Sequence, residues 1–251
     1  LEAVLRKALR HSEGPLTPSL LASLDIVDAD GLEIADLTGL EYAVNLTTLN
    51  LNHNHAIIDL SPVAGLTRLE HLGFAHNQVS DLGPVAELTS LIRLTMDGNP
   101  VTSFAPLVGI KSLTGIHANG TLVSDLSPLA HLPKLGFLAL NGSHIRDVSP
   151  LSVLTDLGTL HLAGNQIRDV SPLAHLINLF HLDAGGNQIE DIAPLLGLPR
   201  LRGLILTKNP LGEQTLRDHI PALLRRGVTV EGVDSAVLAR AQRGALHIPD
   251  P

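Results

Sequence analysis

A 22-residue period runs through most of this chain and limits its possible folds more than any other property. One copy, Leu157 to Asn178, has leucine at its first, fourth and sixth places (Leu157, Leu160, Leu162) and Asn165 at the ninth. Ile167 follows at the eleventh and Asp169 at the thirteenth, then Ser171-Pro172-Leu173 and a closing Leu176. The unit starts again at Leu69, Leu91, Leu113, Leu135, Leu179 and Leu201, and at Leu46 if one extra residue is allowed near His55-Ala56. A unit this short cannot bury its own apolar face, so copies must stack and share one core, which makes a solenoid.

The alternation in the first half of each unit, as in Leu160-His161-Leu162, predicts a short strand with its leucines inward, and stacked strands become one parallel sheet. The ninth-place amides (Asn54, Asn77, Asn99, Asn165, Asn187, Asn209) fall where the chain turns off the sheet. There an amide can satisfy backbone groups whose loss would cost about 1–3 kcal/mol each. Thr121 and Ser143 replace it in two successive units, thinning that ladder in mid-array. In the second half, Pro62, Pro84, Pro106, Pro128, Pro150, Pro172 and Pro194 suit the first position of a short 3₁₀ or α turn. The aspartates just before them (Asp59, Asp81, Asp125, Asp147, Asp169, Asp191) are expected to accept from the descending turn. One carboxylate per layer falls far short of the 6 to 8 oxygens that calcium takes.

The ends depart from the period. LEAVLRKALRH places Leu1, Val4, Leu5, Ala8 and Leu9 on one helical face, expected to break at Gly14-Pro15. Thr17-Pro18 then opens a second short helix through Leu24. A degenerate unit follows over Val27 to Asn45, with Leu32 in the asparagine place. After Asn209-Pro210-Leu211, Leu216 to Arg226 reads as helix interrupted by Pro221, and Val228-Thr229-Val230 as a last strand. The expected divisions are 1–45 for the N-terminal cap with the degenerate unit, 46–211 for the array, 212–232 for the C-terminal cap and 233–251 for a tail or linker.

The L-x-x-L-x-L-x-x-N kernel resembles the leucine-rich repeat over roughly residues 24 to 230, and the D-L-S-P-L-A-x-L continuation resembles the 22-residue subtype of bacterial internalin-like proteins. The resemblance implies an α/β solenoid, namely a right-handed leucine-rich-repeat superhelix with a parallel concave β-sheet, a convex side of 3₁₀ turns and a helical N-terminal cap. It further implies a non-catalytic protein-binding module, an extracellular or cell-surface setting, and possible fusion to further modules through the I-P-D-P string near the C-terminus.

Composition narrows the partners. With aromatics at 2% and hydrophobic residues at 44%, the core must be layered from aliphatic side chains. The absence of cysteine removes disulfides and thiolate metal sites. A net charge of −8 argues against nucleic acid, which needs clustered Lys and Arg. No apolar run reaches the ~18 residues of a membrane span. No cofactor fingerprint is present, and the serines fall on turns while the histidines fall on strands, which disfavours a catalytic triad.

Strands stack at about 4.8 Å, closer than the turns opposite, so the sheet should line the inside of an arc. Its outward residues come from the third, fifth, seventh and eighth places. The partner-binding candidates on it are His71, Arg93, Thr95, Asp97, His117, Phe137, Thr159, His161, His181 and Asp183. Phe137, between Gly115 and Thr159 with His117 and His161 on the diagonals, is read as the anchor; the alternative is a lone surface aromatic. His161, His181 and Asp183 also suggest a zinc or iron site, or a metal-dependent catalyst, against which stands chance adjacency among 13 histidines. His53 and His76 beside Asp97 form a weaker version. The eighth-place run Gly98, Gly120, Gly142, Gly164 and Gly186 reads as backbone geometry with positive φ rather than a phosphate loop. A further alternative is a spacer in a longer polypeptide whose own face binds nothing.

Overall fold

The computed structural model describes residues 1–234; the tail piece around Val237 and Leu238 and the I-P-D-P string lie outside them. Among the described residues ten parallel strands form one sheet in chain order: β1 (Ile26–Asp28), β2 (Thr48–Asn50), β3 (His71–Gly73), β4 (Arg93–Thr95) and β5 (Gly115–His117), then β6 (Phe137–Ala139), β7 (Thr159–His161), β8 (His181–Asp183), β9 (Gly203–Ile205) and β10 (Thr229–Glu231). Each strand is three residues long because the kernel alternates only that far before the turn. The pairing is in strict register, so Val27, Leu49, Leu72, Leu94, Ile116, Leu138, Leu160, Leu182, Leu204 and Val230 make one inward row, each at most 6% exposed. Each such leucine contributes about 1.5–3 kcal/mol of burial, but only because the coils above and below supply its surroundings. Phe74 and Phe104 are fully buried in an otherwise largely aliphatic interior.

The return side is a file of 3₁₀ turns, such as Ser127–His131 and Ser171–His175, which carry a proline at their start in every case but the first, Leu40–Tyr42, among the described residues. There the ring's fixed φ fits and its missing N–H goes unneeded. Asp59 Oδ1 accepts from the Ser61 amide (2.7 Å) and hydroxyl (2.5 Å), and Asp125 does the same with Ser127. The Ser61 and Ser127 bonds hold these exposed carboxyls below the usual range, as Thr38 does for Asp36.

The amide ladder follows the expected physics. Asn165 Nδ2 donates to Leu140 O (2.8 Å) and Leu162 O (2.9 Å), while its Oδ1 accepts from Ser143 N (3.1 Å) and Ile145 N (2.9 Å). One side chain thus ties two coils together. At the gap, Thr121 Oγ1 donates to Ala118 O (2.9 Å) and meets Ser143 Oγ at 3.3 Å. Ser143 Oγ reaches the preceding coil at Ala118 O (3.3 Å), but among the described residues neither hydroxyl accepts from a preceding-coil amide as asparagine does from Val79, Ile145, Ile167 and Ile189. The Val101 and Val123 amides should therefore exchange about tenfold or more faster than those of Val79 and Ile167, taking one neutral hydrogen bond as about 1–1.5 kcal/mol. Hydrogen exchange resolved by residue checks this; equal protection at all four sites would contradict it.

A second ladder, absent from the sequence reading, lies at the seventh place. Asp97 Oδ1 accepts from Asn119 N (2.6 Å), Asn119 Oδ1 from Asn141 N (2.8 Å), and Asn141 Oδ1 from Ala163 N (2.7 Å). It is continuous across the coils where the inner ladder lapses. The eighth place has φ near +65° at the five glycines, and His53, His76 and Lys208 adopt the same left-handed geometry there. The extra residue in the second unit falls in the loop around His55, which stands at φ 61°.

The caps differ from expectation in detail. Helix α1 (Glu2–Leu9) ends at left-handed Arg10, before Gly14-Pro15, and Ala8 faces solvent while Leu5 is buried. Helix α2 (Pro18–Leu21), capped by Thr17 Oγ1, stops short of Leu24, which is buried just ahead of the degenerate unit. At the other end Pro221 does not interrupt a helix: a π turn (Thr215–His219) leads into α3 (Ile220–Arg225), with Pro221 in its first turn. The helical run 213–225 is unbroken at Pro221, and its π turn lies just ahead of the residue that has no N–H to donate. Buried His219 faces Asp191 Oδ1 at 3.2 Å, and Thr215 Oγ1 donates to Glu190 O (2.8 Å), docking this cap on the last full coil.

Candidate partner-binding face

The register that buries one side chain of each strand turns its two neighbours onto the concave face. Of the expected residues, His71, Arg93, Phe137, Thr159 and His181 open β3, β4, β6, β7 and β8, and Thr95, His117, His161 and Asp183 close β4, β5, β7 and β8. Arg93 is exposed and the others are half-buried. Asp97, one step past β4, is half-buried too, but its carboxylate is engaged by the Asn119 amide, which gives it a structural task.

Four of these side chains form a continuous strip. The rings of His117 and Phe137 stack at 4.4 Å and 28°. Phe137 meets His161 at 5.6 Å and 50°, and His161 meets His181 at 5.4 Å and 49°. The zigzag arises because a residue at the start of one strand lies diagonal to the end of the next, within reach of rings. Glycine makes room for it. It does so at Gly203, where a Cβ would fall 2.5 Å from His181 Nδ1, whereas at Gly115 a Cβ would make only ordinary contacts, 3.7 Å from Arg93 Cγ and 3.9 Å from Phe137 Cβ. Phe137 is therefore half-buried among imidazoles rather than freely exposed. Burial pushes the His161 pKa below its ordinary value, His181 and His117 push the same way, and Asp183, its register partner on β8, pulls it up.

The metal reading is not carried by this geometry: His161 and His181 lie ring against ring, tilted by 49° at 5.4 Å. Among the described residues no group of three or more His, Asp or Glu side chains is placed to hold a metal ion. His53 and His76 likewise stack, at 4.8 Å and 21°, with His53 Nδ1 at 2.9 Å from Asp30 Oδ1 rather than beside Asp97. The expected separation of serines from histidines holds only in part: the Ser127 and Ser149 hydroxyls are tied to Asp125 and Asp147, but His131 and His175 lie on the same turns as Ser127 and Ser171. Polar grooves follow the turn flank instead, where Arg146 Nε donates to Gln166 Oε1 (2.8 Å) and Arg168 Nε to Gln188 Oε1 (2.7 Å). Sequence reasoning also passed over Phe180, 55% exposed one residue before β8, because its place in the unit belongs to neither the core nor the strand panel. Among the described residues no helix is long and apolar enough to cross a membrane.

No protein-family model matches the chain, and no curated protein matches it. Solved structures do. An internalin, InlF, of Listeria monocytogenes superposes with a TM-score of 0.81 at 28% identity, covering 96% of this chain and 78% of that one. The functional domain of InlJ from the same organism, which includes a cysteine ladder, shares the fold at 18% identity and a TM-score of 0.59, covering 91% of this chain and 58% of that one. The likeness to internalins supports a protein-interaction module in general terms. Internalin C2 of L. monocytogenes is 30% identical, with a TM-score of 0.75 over 82% of this chain and 91% of that one, and with the shared parallel sheet and 3₁₀ turns this places the chain in the internalin group of leucine-rich-repeat proteins.

Proposed function

We propose that the chain is a non-catalytic module that holds a protein partner on its concave sheet, with Phe137 as the anchor and His117, Thr159, His161 and His181 around it. The observation that carries this reading is the ring strip across β5 to β8. Large rings held by their neighbours present area at little entropic cost, which is what binding hot spots share. On this reading residues 46–211 are the working array, and 1–45 and 212–232 cap it. The test is affinity capture from the source organism's partners: a protein retained by the wild type and lost with Phe137→Ala, at unchanged fold, supports the reading. Retention by both contradicts it, and retention by neither favours the spacer alternative.

A further inference from the structure

The turn flank holds a second arrangement, which the concave face does not use. Arg146 and Arg168 occupy the twelfth place of successive units, two guanidinium groups one coil apart in a chain of net charge −8. The same place holds Ser124 in the unit before them and Glu190 in the unit after. Each arginine is held from the following coil, Arg146 Nε donating to Gln166 Oε1 at 2.8 Å and Arg168 Nε to Gln188 Oε1 at 2.7 Å. Both glutamines are half-buried, and their backbone amides donate to Ile145 O and Ile167 O, so the acceptors are themselves fixed. Among the described residues neither guanidinium forms an ion pair, and neither makes a further hydrogen bond through its Nη groups. The carboxylates beside them in sequence are turned elsewhere. Asp147 accepts from the Ser149 amide (2.8 Å) and hydroxyl (2.9 Å), and Asp169 from the Ser171 amide (2.7 Å) and hydroxyl (2.9 Å).

Both arginines line one cavity of about 440 Å³ together with Gln166, Asp169 and Gln188. We propose that this cavity binds a small ligand through a single oxyanion group, a carboxylate or a phosphate or sulfate ester, held between the two guanidinium forks. The site is separate from the sheet and independent of the concave-face reading given above. Charge selects the occupant. Two like charges on adjacent coils repel, and an anion between them removes that repulsion while adding charge-assisted hydrogen bonds. A guanidinium whose Nε is already engaged still offers paired N–H groups in a fixed plane, the geometry that carboxylate and phosphate oxygens match. The surroundings also limit the ligand to one such group. Beyond Arg168 the trough continues into a cavity of about 560 Å³ lined by Glu190 and Asp191, which would repel a second anion. Toward Ser124 and His144 it continues for about 330 Å³, where Asp147 is the lining carboxylate. A polyanion laid along the flank would meet acidic groups past either arginine, whereas a volume near 440 Å³ suits a small molecule.

The experiment follows the Arg146 and Arg168 Nε–H signals of the whole chain by NMR, at constant ionic strength, while glucuronate, inorganic phosphate or uncharged glucose is added. Glucuronate or phosphate should bind saturably with a dissociation constant of about 10 mM or tighter, moving both signals together, and glucose should move neither. The anion that binds more tightly identifies the source of the oxyanion, carboxylate or phosphate. The double variant Arg146→Lys, Arg168→Lys keeps the charge but loses the forks, and should bind at least about tenfold more weakly. Equal binding by this variant overturns the proposal, because diffuse charge would then suffice; so does the absence of saturable binding by either anion in the wild type. Should the double variant melt early, Gln188→Met, which releases the Arg168 fork alone, is read in its place. It should weaken binding about threefold or more, and unchanged affinity overturns the proposal. None of these outcomes bears on the protein partner of the sheet, which the capture experiment decides separately.

Discussion

Replacing Asn165 with alanine is expected to lower stability by about 4 kcal/mol, more than any single hydrogen-bond loss would suggest. The side chain is 6% exposed and serves two carbonyls and two amides, Leu140, Leu162, Ser143 and Ile145, from two coils. Alanine leaves all four without a partner in a space closed to bulk water. Its place in the array adds to the effect, because Thr121 and Ser143 already stand in the two preceding ninth places. Three successive coils would then lack the tie. A solenoid's stability is close to a sum of nearest-neighbour terms, so a weak run should let the two ends melt separately. Denaturant unfolding followed by residue-resolved exchange would show it as a broadened transition. A loss under about 1 kcal/mol with one sharp transition would contradict the role given to this ladder.

Phe137→Ala should weaken binding of a concave-face partner about 30-fold or more, equivalent to about 2 kcal/mol, while changing stability by less than about 1 kcal/mol. The asymmetry follows from the ring's surroundings. It rests on His117 and His161 rather than in the aliphatic interior, so its removal opens no core cavity. Phe137→Tyr keeps the ring stack and should stay within about threefold of the wild type. Titration calorimetry with the captured partner, alongside thermal melts, separates the two effects. A large stability loss with unchanged affinity would recast Phe137 as a packing residue.

What could be read from the sequence was set by the period. Any residue that recurs every 22 places must meet its copy on the next coil, so the leucine rows, the Asn54 to Asn209 ladder and the proline-led turns were legible without coordinates. The diagonal arrangement of Phe137 with His117 and His161 was legible as well, from strand parity alone. The rest depends on geometry that a pattern does not carry. Asp97, Asn119 and Asn141 look like surface polar residues until the turn shows which backbone amides the sheet leaves open. Whether Arg10 would end α1 in a left-handed turn, or Pro221 would follow a π turn, depends on how the caps sit on the terminal coils. His53, His76 and Lys208 adopt the backbone geometry that glycine takes in the same place of other units, which no composition rule foretells. His161 and His181 read as convergent ligands in one dimension, and only the coordinates show them as a tilted ring pair with no third ligand placed beside them among the described residues.

The central claim is that the sheet, and not the turn side, receives the partner. It is tested by placing the same bulky cation on each side. Thr159→Arg puts it between Phe137 and His181, the register partners of Thr159 on β6 and β8. Val153→Arg puts it on the 3₁₀ turn Ser149–Val153, where the valine is 60% exposed. With the captured partner in a surface-binding assay, the account predicts at least about a 30-fold loss of affinity for Thr159→Arg and less than about a twofold change for Val153→Arg. The reverse order, or equal losses, would contradict it.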